Sequence, residues 1–326
     1  MVYKYLYKTS QKVQTKGMVN VVGSGKGTSR LTLVRRNWDL YLLVLIPFTA
    51  LIIFSYIPMG GIILAFKDYK VFTGILGSKW VGWKHFETMF THPKFMQVFT
   101  NTLLINVYKF IFQFPVPIIL ALMLNEVRIR ALKRGVQTLV YLPHFLSWVV
   151  VAGLFFDLLS MNGIINKVIA AFGGEPTMFL SNAKYFRSLL VISTMWKESG
   201  WSTIVYLSAI TAIDPMLYEA AAVDGAGRIR QTWSITLPSI INTITFIIIL
   251  RASSILGSDT EQVMMFYKPI VYDVGDVLGT YVYREGIVGQ KFSYTTAVGL
   301  FGSIFGMVMM LSANKVSRKY TGIGIW

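Results

Sequence analysis

The sequence holds no cysteine, which excludes disulfides, thiol nucleophiles and thiolate metal sites together. Histidine is almost as scarce. His85, His92 and His144 are the whole supply, scattered rather than spaced as ligands, so no metal site is expected. Charge is thin as well: charged residues make up 14% of the chain, against roughly a quarter in soluble domains. No cleavable leader is recognisable, because the first apolar stretch begins near Leu40, too late for the apolar region of a signal peptide. The first apolar helix is therefore expected to act as its own uncleaved signal. No internal repeat stands out, which argues against a secondary transporter built from duplicated halves.

What is present is apolar length. Hydrophobic residues make up 54% of the chain, and mean hydropathy is +0.56. Six runs stand out, at about Leu40 to Phe66, Val98 to Leu124, Thr138 to Leu159, Leu189 to Ile213, Leu237 to Leu256 and Tyr294 to Ala313. Each approaches or exceeds the roughly 20 residues that a helix needs to cross a bilayer core. Pro47, Pro58, Pro115, Pro117 and Pro143 fall inside them. Membrane helices tolerate proline where neighbours satisfy the freed backbone groups, so kinked, cavity-lining helices are expected.

The net charge of +16 would point a soluble protein toward nucleic acid, but in a membrane protein excess Lys and Arg sets topology. No nucleic-acid partner is expected. With the N-terminus inside, inner segments carry seventeen basic residues and outer segments eleven. The sequence thus predicts an all-α membrane protein with six transmembrane helices and both termini cytoplasmic. Residues 1–36 read as a basic cytoplasmic tail and 37–326 as the transmembrane domain. Lys4, Lys8, Lys12, Lys16 and Lys26 would let that tail lie on anionic membrane lipid as a surface helix; the Gly/Ser stretch from Gly23 to Ser29 favours a mobile tail instead.

One short segment between the fourth and fifth runs carries a motif, within a loop at about 214–238. Glu219, Ala220, Ala221, Ala222, Val223, Asp224, Gly225, Ala226 and Gly227 are followed by Ile235, Thr236, Leu237 and Pro238. Asp214 and Pro215 supply a helix start, the alanines propagate it, and Gly225 and Gly227 permit a sharp turn. Small alanines let a partner surface approach closely, while Glu219 and Asp224 offer charge to its basic groups. The segment is expected to be a docking hairpin on the cytoplasmic side.

These residues resemble the coupling signature of the transmembrane subunits of type I ABC importers. Further blocks resemble the polysaccharide-permease branch of the carbohydrate-uptake permeases: Tyr56 to Gly61, Ala65 to Tyr69, Leu124 to Glu126, Tyr141 to Phe145, Tyr281 to Arg284 and Thr296 to Phe301. The resemblance covers roughly Arg35 to Lys319. It implies a type I importer permease fold in a bacterial cytoplasmic (inner) membrane and a transporter subunit rather than an enzyme. Glu219, Ala220, Ala221, Asp224, Gly225, Ala226 and Gly227 would couple to an ATPase subunit dimer. It also implies a homologous second permease subunit, an extracytoplasmic solute-binding protein and an oligosaccharide substrate, with no cofactor on this chain. ATP and Mg would sit on the partner ATPase. The large segments Lys67 to Lys94 and Asp259 to Lys291 would receive the binding protein.

A second Gly-rich stretch, Gly23 to Thr28, resembles a phosphate-cradling loop but departs from it twice. Asn20 stands at the first Gly position and Gly27 where Ser or Thr should follow Lys26. Nucleotide binding is not expected there.

Ionisable residues within the runs are the remaining signal, because charge in hydrocarbon is costly and usually faces a cavity or a partner. They are Lys109, Asp157, Lys197, Glu198 and Arg251. By the resemblance, Lys197, Glu198, Trp201, Arg251, Ser254, Ile255 and Ser258 fall near the sugar-contacting positions of maltose permease relatives. Relatives commonly carry an uncharged residue where Arg251 stands. Two cations there favour an acidic sugar, a uronate polymer such as alginate, since a guanidinium can hold a carboxylate at two points. The alternatives are a neutral oligosaccharide, or cations that are structural, with Arg251 snorkelling or paired with Glu198. Trp148, Trp196, Tyr206 and Trp233 are expected at membrane boundaries or in packing, and Trp201 at the site. An ion-coupled secondary transporter would leave the coupling motif unexplained. A membrane enzyme would need clustered acids, His or Cys that are not assembled here.

Overall fold

The computed structural model describes residues 37–257, 259–322, 324 and 325. The basic tail, its Gly/Ser stretch, its phosphate-loop lookalike and Ser258 lie outside the described residues. The chain divides into two units, Met1–Gly61 and Ile62–Trp326.

In the first unit, helix α1 spans Trp38–Leu51 and contains Pro47. It is apolar around its whole circumference and buries none of its side chains, the pattern of a helix whose solvent is lipid. A π-helical turn at Ile52–Tyr56 follows, just ahead of Pro58. Proline has no N–H for the ladder and its ring crowds the preceding turn, and a widened turn relieves both.

The second unit is helical apart from the two-residue strands β1, Lys67–Asp68, and β2, Lys79–Trp80, which pair antiparallel. The helices that position the site are α2 (Pro93–Gln113), α3 (Pro115–Glu126), α4 (Arg130–Tyr141), α5 (Trp148–Leu159), α6 (Ala183–Thr211), α7 (Pro215–Val223), α8 (Arg228–Gln231), α9 (Ile241–Ser253), α10 (Thr260–Phe266) and α11 (Phe292–Thr321). Among the described residues, four helical stretches are long and apolar enough to cross a membrane: Trp38–Phe66, Pro93–Glu126, Trp148–Ala171 and Phe292–Lys319. Two bent pairs raise the number to six, with α6 and α7 meeting at 67° and Arg228–Ser239 meeting α9 at 57°.

The third span differs from its sequence expectation of Thr138 to Leu159. Residues 138–141 belong to α4, a helix too polar to cross, and the span begins at Trp148. Pro143 is the reason. It sits in a 3-10 turn, Leu142–Phe145, and Ser147 then caps α5 by accepting from the Val150 N–H.

Helix α6 is central. Its first half packs Phe186, Leu189 and Leu190 with Ile105, Ala152, Val263 and Phe266; its second half packs Tyr206, Leu207 and Ile210 with Ala121, Leu124 and Ile240. Asn182 starts it by accepting from the Lys184 N–H at 2.9 Å. At Gly200 the helix passes so close to α4 that a Cβ would stand 1.9 Å from the Val140 carbonyl oxygen, so only glycine fits.

Candidate functional site

The hairpin at 214–228 forms as its residues dictate. Asp214 caps α7, its side chain accepting from the Met216 N–H at 2.9 Å, with Pro215 at the first helical position. The helix ends at Val223 in a left-handed glycine, Gly225 at φ +75°. The Gly225 N–H donates to the Ala222 carbonyl at 3.0 Å and the Ala226 N–H to the Ala221 carbonyl at 2.8 Å, a paired closure that satisfies the orphan carbonyls of the helix end. Gly227 then precedes α8. Glu219, Ala220, Asp224, Gly225 and Gly227 are exposed, with Ala221 and Ala226 half-buried. Glu219 and Asp224 make no ion pair among the described residues. Around them Met216 is 70%, Val223 89% and Ile229 78% exposed, an apolar and acidic surface left uncovered by the described residues. At its base, Arg228 donates to Glu126 at 2.6 Å and Tyr218 meets Thr236 at 2.9 Å.

Deeper in the unit, α2, α9, the segment that follows α9, and α11 line a cavity of about 270 Å³, bordered in part by Lys109, Gln113, Arg251, Ser254, Ile255 and Asp259. Lys109 is 3% exposed. Its ammonium meets the Asp259 carboxylate at 2.9 Å and donates to Gln262 Oε1. Gln262 is fully committed: its amide nitrogen donates to the Leu190 carbonyl at 2.8 Å and to Ser193 Oγ at 2.7 Å, while Oε1 also accepts from Thr194. Arg251 stands in the last turn of α9, where a cation is favoured by the helix dipole. Its guanidinium donates to Gln113 Oε1 at 3.3 Å, and among the described residues it has no carboxylate partner. The amide nitrogen of Gln113, itself 1% exposed, has no hydrogen-bond partner among the described residues. The cavity therefore holds two cations, one carboxylate and a spare donor.

A second polar group sits where α6 meets the Leu142–Phe145 turn. Glu198 takes the Lys197 ammonium on one oxygen at 3.1 Å and His144 Nδ1 on the other at 2.9 Å. Lys197 also donates to the His144 carbonyl at 2.8 Å, and its ammonium lies 5.3 Å from the Trp148 ring centre. Trp201 stacks on His144 with ring centres 4.8 Å apart and stays half exposed.

The seven sequence-predicted pathway residues thus divide. Lys197, Glu198 and Trp201 form one cluster; Arg251, Ser254 and Ile255 line the other; Ser258 is outside the described residues. The pairing of Arg251 with Glu198 is not made, because His144 and Lys197 occupy Glu198. Sequence reasoning gave no site role to Gln113, Asp259 or His144. Only His144 carried a signal, lying within the Tyr141 to Phe145 block.

The segment 260–291 is pinned from within. Asp276 is fully buried and takes both guanidinium nitrogens of Arg284, at 2.6 and 3.2 Å, and the Thr280 hydroxyl at 2.8 Å. That double hydrogen bond holds the Arg284 guanidinium even further above its already high range. Arg284 also donates to the Tyr267 hydroxyl at 2.6 Å, and burial pushes that phenol up. Gln97 and Asn101 of α2 donate to the Asp273 carbonyl, and Arg187 of α6 to the Val274 carbonyl.

Comparison with known proteins agrees with this geometry. Residues 113–322 match the family model described as binding-protein-dependent transport system inner membrane component. The polygalacturonan/rhamnogalacturonan transport system permease protein YteP of Bacillus subtilis is 48% identical over 88% of this chain and 90% of its own length. The protein LplB of the same organism is 42% identical over 94% of this chain and 96% of its own length. A chain from the crystal structure of a bacterial alginate ABC transporter, in complex with an alginate pentasaccharide-bound periplasmic protein, superposes with a TM-score of 0.84. It is 39% identical, with 91% of this chain and all of that one covered. Nothing in that kinship is catalytic: the relatives are permease subunits, and their function is passage. The chain belongs to the inner membrane components of binding-protein-dependent transport systems, as a permease subunit of a sugar ABC importer.

Proposed function

We propose that this permease subunit forms half the import pathway for an acidic oligosaccharide or polysaccharide of the uronate class, and that ATP hydrolysis on separate subunits drives it. The observation that carries the substrate class is the cavity of about 270 Å³ in which Arg251 has no carboxylate partner beside the compensated Lys109–Asp259 pair. Its formal charge is +1, and a cation at membrane depth is costly unless something answers it. A uronate carboxylate would do so with two charge-assisted hydrogen bonds. The likeness to the alginate ABC transporter and to a polygalacturonan/rhamnogalacturonan permease supports the same class.

The exposed hairpin at 214–228 is the element we assign to the ATPase, with Glu219, Asp224 and the Gly225 turn at its surface. The other half of the pathway would come from a homologous permease, and a solute-binding protein would deliver the sugar. ATP and Mg would bind the ATPase subunits, this chain holding neither. Both termini are assigned to the cytoplasm, and Asp259 to Lys291 to the outer side. A cysteine at Lys268 of this cysteine-free chain would report on that assignment, labelled by a membrane-impermeant thiol reagent from outside. Labelling only from the cytoplasmic side overturns it.

The test of substrate class is ATPase stimulation in the assembled, reconstituted complex with its binding protein. Uronate oligomers are expected to stimulate and neutral oligomers of equal length to fall well short. Equal stimulation by both would move the assignment to neutral sugars.

A further inference from the structure

Asp259 has an unusual position. It lies in the connection between α9 and α10, its backbone is left-handed at φ +79°, and its carboxylate enters the cavity to neutralise Lys109. The left-handed region is uncommon for any residue but glycine, and Asp tolerates it better than most. Lys109 does not depend on Asp259 for its place, because Gln262 holds the ammonium from the other side and is itself fixed by Leu190, Ser193 and Thr194. The cation is anchored on a helix, and its carboxylate partner is on a connecting segment. Asp259 keeps an 18% exposed side chain, whereas Lys109 keeps 4%.

We propose that Asp259 is a built-in stand-in for the substrate carboxylate, occupying Lys109 while the pathway is empty and yielding it to an acidic sugar. The proposal rests on the reading of the cavity as an acidic-sugar site and adds its regulation. Three features of the cavity fit the exchange. Lys109 is never left without a carboxylate, since one replaces another. The Arg251 guanidinium, lining the same cavity without a carboxylate partner among the described residues, is available to the second oxygen of an entering carboxylate. The displaced Asp259 follows the end of α9, the helix that at its other end meets the helical run Arg228–Ser239 of the hairpin across a 57° bend. The Lys109–Asp259 pair thus ties the far end of the coupling element to α2, and an acidic substrate unties it. Substrate occupancy becomes mechanical freedom at the ATPase.

The test uses the complete complex with its binding protein. Asp259→Asn keeps the size and the left-handed tolerance of the residue but removes its charge. Basal ATPase activity is expected to rise about fivefold, the lower end of ordinary coupling between two sites, and stimulation by uronate oligomer to shrink by the same factor. The double variant Lys109→Met/Asp259→Asn removes both charges of the pair and leaves the cavity's formal charge as in wild type, so it assembles even where the single variant does not. It is expected to show the same raised basal rate. A basal rate equal to wild type in the double variant overturns the proposal. Arg251→Leu separates this from the substrate assignment. Loss of the acidic preference there, with an unaltered basal rate in the double variant, refutes the stand-in and keeps the substrate class. A raised basal rate together with an unchanged acidic preference in Arg251→Leu refutes the substrate class, and with it the carboxylate exchange.

Discussion

The coupling hairpin and the charged cavity obey different rules of construction. Every residue that shapes the hairpin lies within about one turn of its neighbour: Asp214 caps, Pro215 starts, Gly225 reverses the chain, and the bonds from Gly225 and Ala226 close it. The cavity takes Lys109 and Gln113 from α2, Arg251 from α9 and Asp259 from the segment beyond it, so its bonds span more than a hundred residues of sequence. The hairpin leaves its acids and apolar side chains facing outward without partners. The cavity compensates Lys109 internally and leaves Arg251 without a carboxylate among the described residues. The locally determined element presents an open surface, and the non-local one presents charge to a cavity.

The comparison can be broken first at the pinned segment that flanks the cavity. Asp276→Ala removes the sole carboxylate facing Arg284 among the described residues. The loss is expected to be about 3 to 5 kcal/mol, the scale for breaking a buried pair. It should appear as a lowered thermal unfolding midpoint of the detergent-solubilised subunit. If the midpoint stays within experimental error of wild type, the segment is not held by this pair, and the cavity wall must be supported some other way.

Arg251→Leu comes next, at roughly 1.5 to 3 kcal/mol of selectivity lost against acidic oligomers, the scale of charge-assisted hydrogen bonds. Arg251→Lys should recover part, because an ammonium keeps the charge but loses the planar fork. Folding yield should fall only modestly, since Arg251 is exposed and the change removes a single long hydrogen bond, that to Oε1 of buried Gln113.

Gly225→Val sharpens the contrast from the other side. A Cβ at this position meets nothing within 4 Å, so the cost to the isolated subunit is backbone strain alone, about 1 to 2 kcal/mol for a side chain in the left-handed region. Coupling is expected to fail while the fold survives. Substrate-stimulated ATPase activity equal to wild type would remove the hairpin from the ATPase interface. Smallest of all is Glu126→Gln: its bridge to Arg228 is solvent-exposed at both ends, so stability should move by less than about 1 kcal/mol. A larger shift in unfolding midpoint would mean that the bridge is part of a stiffer network than its exposure implies.

The same contrast explains what could be read from the sequence. Local chemistry was legible: the cap at Asp214, the reversal at Gly225 and the long apolar runs all depend on neighbours in the chain. Lys109, Lys197, Glu198 and Arg251 were legible as charges out of place, because hydrocarbon penalises them wherever they fold. Their pairings were not. Nothing near Glu198 in sequence announces His144, and nothing near Lys109 announces Asp259, because those partners are chosen by how α2, α6 and α10 pack. The start of the third span was misplaced for a related reason. The apolar residues of α4 and α5 run together in the sequence, and only the break at Pro143 assigns residues 138–141 to a separate helix.

The central claim is that the one cavity cation without a carboxylate partner among the described residues selects an acidic sugar. The most direct measurement is the ratio of ATPase stimulation by uronate oligomer to stimulation by neutral oligomer, compared between wild type and Arg251→Leu in fully assembled complexes. The account requires that ratio to fall by about tenfold or more, the equivalent of 1.4 kcal/mol or above. A ratio that is the same in both would contradict it.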